Sequence, residues 1–334
     1  MTSPMSARMR NALKLSLSLA CLWAIWHWID LSDLALRFRT VALPPLAAAM
    51  ILNLFLQFLN AIKIRLLFPE PRPALAGMLI VNLIAVFFSS FIPGGIGGEV
   101  ARWAYMSRES GSKSHPLAAI LLDRITGLWA QILLALAAWI WLVRGSAVSH
   151  PALGATVTAA LLILGASLAA GIWGYRGLSK VLQKGVAWYS GRGGKGMAEE
   201  APGVDASADI GAMLADLLSD RARCLRVALI SVAYQLLVVA TFLLVDRAIG
   251  GDLGWAQASL FLFCYTLILL LPVSLGNWGV SEGVLGILYH YAGSRSGTGV
   301  LISLLLRVMT LPAAFLGWFF FILRRPPSAA QEAP

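Results

Sequence analysis

Two stretches decide how this 334-residue chain is read: FIPGGIGGEVARWAYM at 91–106 and LPVSLGNWGVSEGVLGILYHYAG at 271–293. Each begins where an apolar run stops, breaks on proline and clustered glycines, and restarts as a moderately apolar segment carrying one glutamate, Glu99 or Glu282. Proline removes an amide donor and glycine weakens a helix, so each stretch predicts a helix, a break and a second helix. Inside a bilayer, such a break survives only where protein or a watery cavity satisfies the freed backbone groups.

Working outward, the composition places these breaks in a membrane. Hydrophobic residues make up 59% of the chain and charged residues 13%, against roughly 45–50% and about 25% in soluble proteins. Mean hydropathy is +0.78. A water-soluble globule cannot hide that much apolar surface, and disordered, collagenous and disulfide-stapled chains are excluded as well. The net charge of +10 forms no single basic patch, so no nucleic-acid partner is expected. Cys21, Cys224 and Cys264 stand in or beside apolar runs without ligand spacing, and four scattered histidines point to no metal site.

A span needs about 20 apolar residues. Candidates are 12–29, 41–62, 117–143, 152–175, 224–246 and 298–323, and the first is read as a retained helix rather than a cleaved signal. The runs 74–92 and 255–271 are shorter and lead into the two breaks. If each broken unit returns to the side it entered, with a cytoplasmic N-terminus, nineteen Lys and Arg residues lie inside and five outside. Full crossings would export the eight-residue basic cluster of 176–226. The positive-inside rule therefore favours re-entrant hairpins at 74–110 and 255–292.

The expected fold is an all-α polytopic membrane protein of two inverted repeats, each with three spanning helices and one Pro/Gly-broken hairpin. The first repeat covers 1–143 and the second 144–334, which includes a cytoplasmic loop at 176–223. Within that loop, 191–203 reads as a flexible linker and 206–223 as an amphipathic surface helix. Both termini are expected in the cytoplasm. The halves match in one further detail: Arg124 follows Glu99 by 25 residues, and Arg307 follows Glu282 by 25. Transporters built of inverted repeats place their sites between the repeats, near the midplane.

Charge inside a membrane segment is costly, roughly 2.5–3.5 kcal/mol on insertion scales, and marks a candidate site. Glu99 and Glu282 are read in two compatible ways. Each is an acid favoured by the dipole of a helix start, and each stands beside backbone amides able to bind an anion. The glycines Gly94, Gly95, Gly97 and Gly98 would let a ligand approach those amides. Arg124 and Arg307, seven and nine residues into their spans, lie about 10–14 Å deep. There they face either a substrate phosphate or a structural partner among Glu99, Glu282 and Asp123. Asn53, Gln57 and Asn60 share one helix face, Gln131 lies seven residues after Arg124, and Ser231 pairs with Gln235. These polar residues are read first as interhelical glue. No ATP-binding loop is present and no cofactor is expected.

The run PGGIGGEVARWAYMSRESG with LLDRITGLWA downstream (93–111, 121–130) resembles the flippase-like transmembrane domain of lysylphosphatidylglycerol synthases. LPVSLGNWGVSEGVL with LLLRVMTLPAAFLG (271–285, 304–317) is similar to that family's second hallmark, although Leu275-Gly276-Asn277-Trp278 replaces its double glycine. The resemblance covers essentially the whole chain. It implies a lipid-handling role for Glu99, Arg124, Glu282 and Arg307 in a bacterial inner membrane. The lipid would bear a phosphate: an aminoacyl phospholipid, a polyprenyl-linked glycan or a hopanoid-type lipid. Nothing resembling the family's soluble aminoacyl-transferase domain follows the last span, so aminoacyl transfer is not expected and a soluble lipid-modifying enzyme is a candidate partner. The leading expectation is a flippase or scramblase; the alternative is a membrane transferase using a polyprenyl-phosphate or phospholipid substrate.

Overall fold

The computed structural model describes residues 38–91, 96–110, 114–144, 206–269, 279–294 and 297–323. The expected spans at 12–29 and 152–175, the linker at 191–203, Gly94, Gly95, Cys21 and 270–278 of the second break lie outside the described residues. Regular structure among the described residues is helical throughout. In chain order the helices are α1 (Leu43–Leu67), α2 (Leu75–Phe91), α3 (Ile96–Ser110), α4 (Ser114–Arg144) and α5 (Ala206–Ser219). They continue with α6 (Arg221–Ala248), α7 (Trp255–Leu269), α8 (Val280–Tyr291), α9 (Thr298–Val308) and α10 (Leu311–Leu323).

Four segments are long and apolar enough to cross a bilayer: Leu43–Leu67, His115–Arg144, Arg221–Ala248 and Thr298–Leu323. They match the expected spans at 41–62, 117–143, 224–246 and 298–323, so the protein is a polytopic membrane protein. Pro44 and Pro45 sit in the first turn of α1, where a missing amide removes no helical bond. The last span departs from expectation by breaking into α9 and α10 at Met309–Thr310. Pro312 has no amide to give the Val308 carbonyl, and at the same turn the Thr310 hydroxyl donates to the Arg307 carbonyl at 2.7 Å.

Helices α3 and α8 begin on the C-terminal side of the two Pro/Gly stretches. α2 and α7 lead into the two stretches and are described as far as Phe91 and Leu269. The expected amphipathic segment after the linker is α5, which packs on α4 through a face that buries Met213 and Leu217.

The chain divides into two compact units. One takes 1–58, 80–102 and 236–334, and the other takes 59–79 and 103–235. The core of the first is built by Leu46 and Ala49 of α1, Phe242 and Val245 of α6, Leu262 of α7, Leu285 and Tyr289 of α8, and Leu301, Ile302 and Leu305 of α9. Glycines set its closest helix contacts. A Cβ on Gly98 would run into Ser89 and the Ala85 carbonyl of α2, and one on Gly299 would run into the Leu285 carbonyl of α8. In the second unit Ile64 and Leu67 of α1, Met106 of α3, Ala118, Ala119 and Leu122 of α4, and Val227 of α6 are buried. Large apolar side chains such as Ile51, Trp141, Leu229, Phe315 and Ile322 are exposed, as a surface solvated by lipid tails requires.

Candidate functional site

The second break builds its site at the start of α8. Gly279 caps that helix with φ +80°, a left-handed conformation open to glycine and strained for other residues. The turn lets the Gly279 N–H donate to Glu282 Oε2 at 2.7 Å, satisfying an amide that the helix itself leaves orphaned. Ser281 Oγ donates to the same oxygen at 2.9 Å. Glu282 Oε1 accepts from Ser303 Oγ at 3.2 Å and from Arg307 Nε and Nη2 at 3.2 and 3.1 Å. Arg307 Nη2 also donates to Ser281 Oγ at 2.7 Å, and the hydroxyl of Tyr265 on α7 bonds Ser281. One carboxylate thus gathers five donors from α8, its cap and α9.

This arrangement follows from local sequence. Glu282 is in the first turn of α8 and Arg307 in the last turn of α9, each at the helix end that favours its charge. Ser303 lies one turn before Arg307, so both project from the same face of α9. The two charges differ in exposure: the Glu282 side chain is 3% exposed and that of Arg307 is 32%. The acid is sealed in, and the guanidinium reaches from it to the surface. The spacing of 25 residues therefore does bring Glu282 and Arg307 together.

The first break is organised differently. Glu99 opens α3 and forms a 3.5 Å ion pair with Arg102, one turn along the same helix, their side chains 29% and 10% exposed. Gly98 is buried against α2 and Gly97 begins the same turn. Arg124 lies on α4 with an exposed side chain, in the other compact unit from Glu99.

Three features escaped the sequence reading. The first is the hydroxyl set around Glu282: Ser281, Ser303 and Tyr265. Only the one-turn spacing of Ser303 and Arg307 hinted at it. The second is Asp246 at the end of α6, which accepts from the Tyr289 hydroxyl at 2.8 Å and the Leu253 amide at 3.1 Å, and pairs with Arg247. It anchors the loop between α6 and α7 onto α8. The third is a buried ion pair between Lys63 and Asp123 at 2.7 Å. Lys63 lies just past the expected end of the span at residue 62, but α1 continues to Leu67 and carries it inside. The polar stripes act partly as expected glue. Gln235 Nε2 on α6 donates to the Gly127 carbonyl of α4 at 3.1 Å, and Asn82 of α2 reaches the Gln57 carbonyl of α1. Ser231 bonds its own helix at Val227 instead of Gln235.

Long apolar spans, two Pro/Gly interruptions and buried charge held at a helix restart define a class: polytopic α-helical membrane proteins with polar sites at broken helices. Within that class the chain belongs to the lysylphosphatidylglycerol synthase transmembrane-region family, whose model matches residues 11–317, nearly the whole chain. No curated protein and no solved structure gives a significant match. Family membership carries a membrane-lipid-related function.

Proposed function

We propose that this protein is a lipid flippase or scramblase of the bacterial inner membrane, with its termini in the cytoplasm, passing a phosphate-bearing headgroup between leaflets while the tails stay in the bilayer. The observation that carries the reading is Arg307, a guanidinium held on one edge by a sealed carboxylate and reaching partly out of the protein. A guanidinium grips phosphate in a fixed fork geometry. With Glu282 and Ser281 fixing its orientation, it would meet the headgroup without first losing side-chain freedom. Glu99, Arg124 and the glycines Gly94, Gly95, Gly97 and Gly98 would contribute at the other break, within the inverted-repeat arrangement expected from the sequence.

The test must separate transport from folding. Arg307→Ala alone leaves the Glu282 charge buried without its cation, a loss of about 3–5 kcal/mol. The double variant Glu282→Gln/Arg307→Gln removes both charges and keeps a side chain able to cap α8. In proteoliposomes carrying fluorescent phospholipids, the double variant should unfold near the wild-type temperature and move lipid at the rate of empty vesicles. Wild-type rates in the folded double variant would remove Arg307 from the transport path.

A further inference from the structure

Ser281 is 0% exposed, and its hydroxyl meets three groups at once. Arg307 Nη2 lies 2.7 Å from its oxygen, Glu282 Oε2 lies 2.9 Å away, and the Tyr265 hydroxyl is bonded to it as well. A serine hydroxyl has one proton and two lone pairs. A guanidinium can only donate and a carboxylate can only accept. The Ser281 proton therefore goes to Glu282, and one lone pair accepts from Arg307. The second lone pair remains for Tyr265, whose phenol must be the donor. That accounts for every hydrogen-bonding site of the Ser281 side chain.

The guanidinium gains its orientation from this hydroxyl. Arg307 Nε and Nη2 both donate to the same oxygen, Glu282 Oε1, at 3.2 and 3.1 Å. Two donors on one oxygen hold the group in place but let its plane rock about that point, unlike a fork gripping two oxygens. Ser281 Oγ supplies a second acceptor off that point. A serine hydroxyl can itself swing among staggered rotamers, and a sealed one has no water to replace a lost partner.

Tyr265 is built to hold its place. It lies one turn after Phe261 on the same face of α7. Phe261 packs edge-on against Tyr289 of α8, with 5.4 Å between ring centroids, and Tyr289 is anchored to Asp246 at 2.8 Å. The Tyr265 ring packs on the core that Leu285, Leu301 and Leu305 help to build. A phenylalanine would keep that packing. The hydroxyl adds the bond to Ser281, and burying a hydroxyl among apolar helices is unfavourable unless it is bonded. Packing alone therefore does not account for a tyrosine here.

We infer that Tyr265 is a positioning residue of the second break: acting through Ser281, it fixes the plane of the Arg307 guanidinium, so that this group meets a headgroup phosphate in one orientation. The benefit to headgroup binding rests on the transport reading above. The fixed orientation of the guanidinium does not, and each has its own measurement.

Orientation is measured by nitrogen-15 NMR of arginine-labelled protein in lipid nanodiscs, where the Arg307 side-chain signal is the one missing from Glu282→Gln/Arg307→Gln. Wild type should give a sharp Nε–H signal. Tyr265→Phe should broaden it, as rotation about the Nε–Cζ bond is released, and leave the other arginine signals in place. An equally sharp Arg307 signal in Tyr265→Phe overturns the inference. Ser281→Ala should broaden the signal too, and adding Tyr265→Phe to it should change nothing further. Additional broadening in that background would mean that Tyr265 acts by another route, and refutes the assignment. Should Ser281→Ala misfold, Tyr265→Phe decides alone, since it keeps the ring packing.

Headgroup binding is measured in proteoliposomes, as the initial rate of movement against the fraction of fluorescent phospholipid. Tyr265→Phe should raise the half-saturating fraction about three- to tenfold, the weight of one hydrogen bond, with the maximal rate unchanged. A lower maximal rate at an unchanged half-saturating fraction refutes the role in headgroup binding. A wild type that moves no lipid refutes the transport reading and leaves the arginine signal to decide the positioning.

Discussion

At the first break Glu99 faces Arg102, three residues on along its own helix; at the second, Glu282 faces Arg307, 25 residues on and in a different helix. Both glutamates open a helix after a glycine-rich interruption, and both gain from the helix dipole there. The partner makes the difference. A partner on the same helix leaves Glu99 29% exposed. A partner on α9 draws two helices, two serine hydroxyls and a cap around Glu282 until it is 3% exposed. The same kind of helix start can thus be a local charge or a tertiary lock, depending on where the opposing charge enters the fold.

The largest contrast should come from removing each acid. Glu282→Ala strands the Gly279 amide, two serine hydroxyls and the Arg307 guanidinium, and should lower stability by about 3–5 kcal/mol. Glu99→Ala removes an acid that is 29% exposed, though it faces the buried Arg102, and should cost less than Glu282→Ala. Thermal unfolding of both variants in detergent measures the gap, and equal losses would break the comparison.

A smaller effect tests whether the breaks are also packed differently. Gly299→Ala drives a methyl into the backbone of α8, whereas Gly98→Ala meets a serine side chain that can rotate as well as a carbonyl. Overpacking costs about 1–3 kcal/mol, with Gly299→Ala expected at the upper end and Gly98→Ala at the lower. The reverse order in denaturant titrations would mean that α3 is pressed on α2 more rigidly than α9 on α8.

The smallest effect comes from a third acid at a helix start, outside the membrane. Asp220 precedes α6 and accepts the Arg223 amide at 3.0 Å. That bond holds its carboxyl below the ordinary 3.8; desolvation opposes the shift, while the Ala222 amide and the charges of Arg226 and Arg223 reinforce it. A carboxyl lowered in the folded state stabilises the fold above its unfolded value. The contribution is then lost as pH falls through the lower folded value. Stability of the wild type should therefore decline more than that of Asp220→Asn below about pH 4, and unfolding curves at stepped pH check it. Equal slopes would show that this helix-start acid carries no such linkage.

Much of this was legible in the residue order, because a bilayer imposes one-dimensional rules. Span length, helix-breaking proline and glycine, and the flanking basic residues placed α1, α4, α6 and both breaks to within a few residues. The Pro312 break was legible in principle, but the apolar run through it masks a missing hydrogen bond that hydropathy does not sense. The equal spacing of Glu99 with Arg124 and Glu282 with Arg307 was visible too, as a match between the halves, but that the latter two pair is a finding of the structure. The spacing held no information on Ser281 and Ser303, which bond Glu282, or on Tyr265, which bonds Ser281 from a third helix.

By itself the amino-acid order determined that this chain lives in a membrane, where its helices run, and that two of them are broken beside an acid. Those are consequences of local hydrophobicity and backbone chemistry, which act between near neighbours in the chain. The tertiary structure alone decided which charges meet. Lys63 and Asp123 are 60 residues apart, and Asp246 and Tyr289 are 43 apart. Whether a buried charge is neutralised depends on a partner within a few ångströms in space, and that distance exists only once the helices have packed.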